Sequence, residues 1–207
     1  KDIIRDAPGR VIAACFSSHL HRVQQIFDAG VASGRKVAFF GRSMQRNTDV
    51  GRELGKLRIP AKDLLDIEQL VKLPPERQLL ITTGSQGEPF AALSLMAQNR
   101  HKFVKLDEGD TILLSATPIP GNERAVNETI DHIFRIGASV VTAADAPIHA
   151  SGHGWQEELK LMINLTKPKY VLPIHGDFKR LRLHSELAQA VGVDGVERLV
   201  HEGQEVP

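Results

Sequence analysis

At 207 residues, with 42% hydrophobic and 25% charged side chains, the chain has the make-up of a globular protein of one large domain, or one domain plus part of another. A net charge of +1 gives no electrostatic footprint of a polyanion binder, although 26 Lys and Arg leave room for a local basic face. The single cysteine, Cys15, excludes an internal disulfide and a thiolate metal cluster and fits a reducing compartment. It lies in the apolar run VIAACF and reads as a small buried residue rather than a nucleophile. No apolar run approaches the ~20 residues needed to span a bilayer and no signal peptide is visible. No membrane partner is therefore expected, and a cytoplasmic location is. The first residue is Lys1, not Met, which reads as a piece of a longer or a processed chain.

In chain order, Lys1–Pro8 is a polar lead-in and Arg10–Phe16 a short, partly β-branched strand. Ser17-Ser18 is placed to cap a helix over His19–Ala32, whose Leu20, Val23, Ile26, Phe27 and Val31 recur at helical spacing. Lys36–Phe40 predicts a second strand, Gly41-Arg42-Ser43 a turn, and Met44–Leu54 a helix. Asp66 is a cap for a short helix over Ile67–Lys72, stopped by Pro74-Pro75. Gln78–Thr83 is the third strand, followed by the loop GSQGEP and a helix through Gln98. Thr111–Leu114 is the fourth strand, Asn122–Ile136 a helix closed by Gly137, and Ser139–Thr142 the fifth strand. Gln156–Leu165 is a helix, Tyr170–Pro173 the sixth strand, Phe178–Ala190 a helix capped by Asp177, and Val196–Val200 a candidate seventh strand. Strand and helix alternate throughout, so the fold class is α/β: a mainly parallel sheet flanked by helices.

Small polar residues recur just after the strands: Ser17-Ser18, Gly41-Arg42-Ser43, Gly84-Ser85-Gln86, Ser115-Ala116-Thr117, Ser151-Gly152-His153 and His175-Gly176. Parallel sheets bind ligands at the carboxyl ends of their strands. Turns that feed helix N-termini offer free N–H groups to phosphate. Any one of these turns can equally be a helix cap. The set together suggests a groove for more than one phosphate.

Other motifs carry less. GSQGEP is neither a Walker A loop nor G-x-G-x-x-G. His19-Leu20-His21 would need an acid at 23 and a His at 24 to belong to an H-x-H-x-D-H metal motif. Those positions are Val23 and Gln24. His19 remains a candidate ligand contact beside the Ser17-Ser18 turn, and His21 reads as surface. His149, Ser151 and His153 alternate, so in an extended segment they share one face, apt for gripping a phosphate or protonating a leaving oxygen. The alternative is a self-satisfied turn capped by Ser151. Lys160, Lys167, Lys169, Lys179, Arg180 and Arg182 form either a solvated face or a contact for an RNA backbone. Aromatic side chains make up only 5%, so no base-stacking platform is evident.

The words HRVQQIFDAG, GRKVAFFGRSMQRN, LLITTGSQGEPFAALSLMA, TILLSATPIPGNE and HASGHGWQEELKLMINLTKPKYVLPIHGD together resemble the β-CASP region of bacterial RNase J, a metallo-β-lactamase-fold ribonuclease family. The likeness runs along nearly the whole chain. HASGHG is similar to motif B, with His153 as its histidine, and PIHGD to motif C, with His175. The resemblance implies that His175 is a metal ligand and that His153 contacts the scissile phosphate and assists proton transfer. It implies RNA-phosphate contacts from His149, Ala150, Ser151, Gly152 and His153, with Ser17, Ser18, His19 and Ser85 as further substrate-binding residues. Family members usually carry Glu where Asp177 stands.

The main H-x-H-x-D-H metal motif of that family is absent from these residues. The resemblance therefore divides the chain into a β-CASP domain over residues 1–146 and a C-terminal part of a metallo-β-lactamase core over 147–207. It implies RNA as substrate and two Zn²⁺ per intact active site, with Mn²⁺ or Mg²⁺ as alternatives. The activity it implies is a 5′-to-3′ exonuclease with endonuclease activity, used in RNA processing and decay. It also implies a homo-oligomer or an RNA-degradation complex in the intact protein. One imidazole cannot hold zinc in a usable four-coordinate geometry, so the chain alone is expected to be inactive. The competing class is a non-catalytic RNA- or nucleotide-binding α/β module.

Overall fold

In the computed structural model, residues 1–89, 91–119, 121–193 and 195–196 are described. The chain divides into two compact units, Lys1–Ala150 and Ser151–Pro207. The first opens with a short helix, α1 (Asp2–Asp6), where a polar lead-in was expected. Its Ile4 is buried, which anchors the turn. Then follow β1 (Val11–Ala14), α2 (Leu20–Ala32), β2 (Lys36–Phe40), α3 (Arg42–Glu53) and α4 (Ile67–Leu70). The unit closes with β3 (Gln78–Thr82), α5 (Ala92–Ala97), β4 (Thr111–Leu114), α6 (Glu123–Ile136) and β5 (Ser139–Val141).

The five strands form one sheet in the order β2-β3-β1-β4-β5, and every neighbouring pair is parallel. Ile12 lies between Leu80 and Ile112 in register. Both faces of the sheet are covered, which is why its strands read as solid apolar runs. Ile12, Ala14, Leu80 and Ile112 face a layer built with Leu70, Leu93, Met96, Val126 and Ile133 of α4, α5 and α6. Val11, Ala13, Leu79 and Ile81 face the other way, against Val23, Phe27 and Met44 of α2 and α3. The chain thus leaves β1 toward one face and leaves its neighbour β3 toward the other. A crevice opens at the carboxyl ends of two such strands, the usual ligand position in this architecture.

Several boundaries differ from expectation for local reasons. α3 begins at Arg42 because Gly41, at φ 103, already turns the chain into the helix. α5 is shorter than expected: it starts at Ala92, and Gly84–Pro89 is a loop held by its own contacts, among them the Gly87 N–H to the Gly84 carbonyl. Asp66 occupies the cap position of α4 but its side chain makes no capping bond.

The second unit contains α7 (Gln156–Thr166), β6 (Tyr170–Val171), α8 (Phe178–Ala190) and β7 (Gly195–Val196). β6 and β7 pair in parallel. Of the expected seventh strand, residues 197–200 lie outside the described residues. The core here is small: Ile163, Ala188 and Val193, with Val171, Leu187 and Val191 against them. Ile174 is 79% exposed and Trp155 82%, so large apolar side chains of this unit stand in solvent. Among the described residues no helix is long and apolar enough to cross a membrane.

Candidate nucleic-acid and metal-ligating site

In the first unit an open cleft of about 1160 Å³ lies at the carboxyl ends of β1, β2 and β3, lined by Ser17, Ser18, Arg42, Arg46 and Ser85 among others. Ser85 is buried yet lines this cleft. Ser17 is fixed from across it, its hydroxyl accepting from Asn47 Nδ2 at 3.0 Å. Two cationic side chains, several hydroxyls and the start of α3, set against the single carboxylate of Glu88, make a surface suited to anionic oxygens. Cys15 sits at its floor, where burial pushes the thiol up to about 12 and leaves it unreactive.

The cap of α2 is not Ser17 or Ser18. His19 takes that place, its Nδ1 accepting the Arg22 N–H at 3.2 Å. An imidazole nitrogen can accept there as a serine oxygen does, and it leaves both hydroxyls free for other partners. His19 and His21 are exposed and line a smaller depression with Ser18 and Lys56.

Sequence reasoning missed the residue that organises the end of this unit. Arg22 is buried on α2. Its Nη1 donates to the Ser115 carbonyl at 2.8 Å and meets His149 Nδ1, while Nη2 reaches the Ala150 carbonyl at 3.5 Å. The Ser115 hydroxyl donates to the Ile148 carbonyl at 2.5 Å. Ile148, His149 and Ala150 are therefore strapped across the ends of β4 and α2. Burial first, and then the neighbouring guanidinium, hold the His149 pKa below the usual histidine range.

In the second unit Ser151 accepts the His153 N–H on its hydroxyl at 3.1 Å. Residues 152–153 bend rather than extend. The continuous extended run needed for simple alternation of His149, Ser151 and His153 does not form, because Ser151 closes its own turn. Gly152 has open space around its Cα, where an added methyl would meet no atom of the chain. His153 and His175, 22 positions apart (175 − 153 = 22), come together with ring centroids 5.0 Å apart and planes at 62°. Both are exposed. Gly176, at φ 125, turns the backbone sharply behind His175. Asp177 then caps α8, accepting from the Arg180 N–H at 2.9 Å and from Arg180 Nη1 at 2.7 Å.

As a metal centre this donor set is incomplete. Among the described residues no group of three or more His, Cys, Asp or Glu side chains is placed to hold an ion. His153 and His175 offer two imidazoles at most, the Asp177 carboxylate is engaged by Arg180, and a tetrahedral site needs four ligands. Among the described residues the donors do not enclose a metal ion.

Residues 8–133, more than half of the chain, match the family model of the ribonuclease J β-CASP domain. This chain belongs to the ribonuclease J β-CASP family. Residues 143–196 match a second family, described as a Zn-dependent metallo-hydrolase RNA specificity domain. The chain is 51% identical over 191 residues to ribonuclease J of Mycolicibacterium smegmatis, covering 92% of this chain and 34% of that protein. It is 46% identical over 194 residues to ribonuclease J of Corynebacterium glutamicum, covering 94% and 27%. Ribonuclease J of Helicobacter pylori is 40% identical over 191 residues, covering 92% and 28%. The chain thus spans about a third of the length of the ribonuclease J relatives it matches, or less.

Proposed function

We propose that the parent protein is a metal-dependent ribonuclease that hydrolyses RNA phosphodiester bonds. In this reading residues 1–146 are its β-CASP domain and 147–207 return to a metallo-β-lactamase core. The observation that carries the reading is the His153–His175 pair, two imidazoles 5.0 Å apart in a segment that matches a zinc-dependent hydrolase family. His175 serves as a metal ligand. His153, also exposed, faces the phosphate or the leaving oxygen, where an imidazole can donate or accept a proton near neutral pH. Ser17, Ser18, His19 and Ser85, with His149 and Ala150, seat RNA phosphates in the first unit, and Ser151 and Gly152 do so in the second. Zinc is favoured as the metal by the description of the matched family, and 5′-to-3′ polarity by the resemblance alone.

The chain by itself is an RNA-binding module without turnover, because the donors among its described residues do not complete a metal centre. The test is to incubate this chain and the full-length parent with 5′-monophosphorylated RNA and Zn²⁺ or Mn²⁺. The parent is expected to cleave and the chain to bind without cleaving. Cleavage by the chain alone contradicts the incomplete site, and an inert parent contradicts the ribonuclease reading.

A further inference from the structure

Arg22 is buried, and among the described residues its partners are three acceptors, none of them a carboxylate: the carbonyls of Ser115 and Ala150, and His149 Nδ1. A guanidinium carries only donors and stays protonated. The ring nitrogen it meets must therefore offer a lone pair. That assigns the single proton of a neutral His149 to Nε2, and it disfavours a second proton, which would set N–H against N–H.

We propose that Arg22 is a positioning residue that fixes His149 as the neutral Nε2–H tautomer, so that this ring presents a permanent donor to a phosphate oxygen of RNA. The phosphate half of this inference rests on the ribonuclease reading; the tautomer does not. Two further contacts hold the ring in place. The Ser115 hydroxyl grips the Ile148 carbonyl, and Arg22 reaches the Ala150 carbonyl, so the backbone on both sides of His149 is tied. The charged and titratable groups facing it are Arg22 and His19, both from the start of α2. Burial is the first cause of the lowered pKa, Arg22 and His19 add to it, and the Ser115 backbone carbonyl works against them. A donor that keeps one protonation state suits binding, whereas a general acid must change its own. His149 and His153, both histidines of HASGHG, are thereby given different duties.

The experiment is long-range ¹H–¹⁵N correlation on the ¹⁵N-labelled full chain, with His149→Gln to assign the ring. The expected result is an Nε2–H pattern for His149 and a titration midpoint below the ordinary value of about 6.5. Arg22→Met should give a mixture of tautomers and move the midpoint up, and Arg22→Lys should restore the wild-type pattern only in part. The His101 signals report whether each variant is folded. Should either fail to fold, the wild-type spectrum still decides: an Nδ1–H pattern, or a midpoint at the ordinary value, overturns the proposal. A 5′-monophosphorylated oligoribonucleotide should then shift the His149 Nε2 resonance in the wild type. A correct tautomer that RNA leaves unmoved refutes the phosphate half and leaves the clamp standing.

Discussion

Gln86 and Ile119 join two strand-end loops: the Gln86 Oε1 accepts the Ile119 N–H at 2.7 Å, and its Nε2 donates to the Thr117 carbonyl at 3.1 Å. Gln86 is buried, so GSQGEP is a staple between the loop after β3 and the loop after β4. Gln86→Leu keeps the bulk and removes both bonds, a loss of about 0.5–1.5 kcal/mol each because Thr117 and Ile119 are exposed and water can replace the partner. The urea midpoint should fall with an unchanged slope. An unchanged midpoint would remove the staple from the account.

The second glycine of that loop is fixed by its neighbours. Gly87 has φ 70, and a Cβ there would lie 2.4 Å from the Ala125 carbonyl carbon on α6. Gly55 has φ 65 with nothing within 4 Å. Gly55→Ala should cost about 1–2 kcal/mol, the ordinary left-handed penalty. Gly87→Ala should cost clearly more, because backbone must move. Equal losses in thermal or urea unfolding would contradict the close approach.

Arg35 is buried at the opposite end of the sheet, where its guanidinium donates to the carbonyls of Ile4, Gly9, Gln78 and Ala7. It ties α1 and the entry to β1 onto β3. Lysine has one ammonium and cannot reach all four with that fork, so Arg35→Lys should lose roughly 3 kcal/mol, one or two charged hydrogen bonds. Proteolysis should then open the chain near residues 4–9 first. A variant as stable as wild type would show the clamp to be dispensable.

Much of this frame is legible from sequence. The bounds of Lys36–Phe40, Thr111–Leu114 and Phe178–Ala190 follow from apolar runs, flanking turns and the Asp177 cap. Arg22 and Arg35 are not legible, because an arginine beside an amphipathic stripe, or in the turn before a strand, reads as exposed until carbonyls from distant segments are seen to converge on it. His19 as a cap was hidden for a similar reason: Ser17 and Ser18 fit the role better by residue type, and only the backbone places His19 against the Arg22 N–H. The pairing of His153 with His175 depends on the return of the chain through β6. Spacing suggests it, and the 5.0 Å separation requires the fold.

Acid should weaken the first unit through His101. Its Nδ1 accepts the N–H groups of Phe103 and Val104, its ring packs edge-on to Phe40, and burial holds its pKa below the usual value. The unfolded chain therefore binds the proton first as pH falls, so stability is full above about 6.5 and declines below it toward the lowered folded-state value. His101→Gln should flatten the fall in stability between about pH 7 and 5. An equal slope in both proteins would place the acid sensitivity elsewhere, and His149, lowered in the same sense, is the next candidate.

The central claim is that His175 gives a ligand to a metal centre completed by the rest of the parent. The most direct measurement is bound metal per chain, with the rate of RNA cleavage, in full-length His175→Ala against the full-length wild type. The account predicts that both fall together, with the fold retained by circular dichroism. Metal content and cleavage equal to those of the wild type would contradict it.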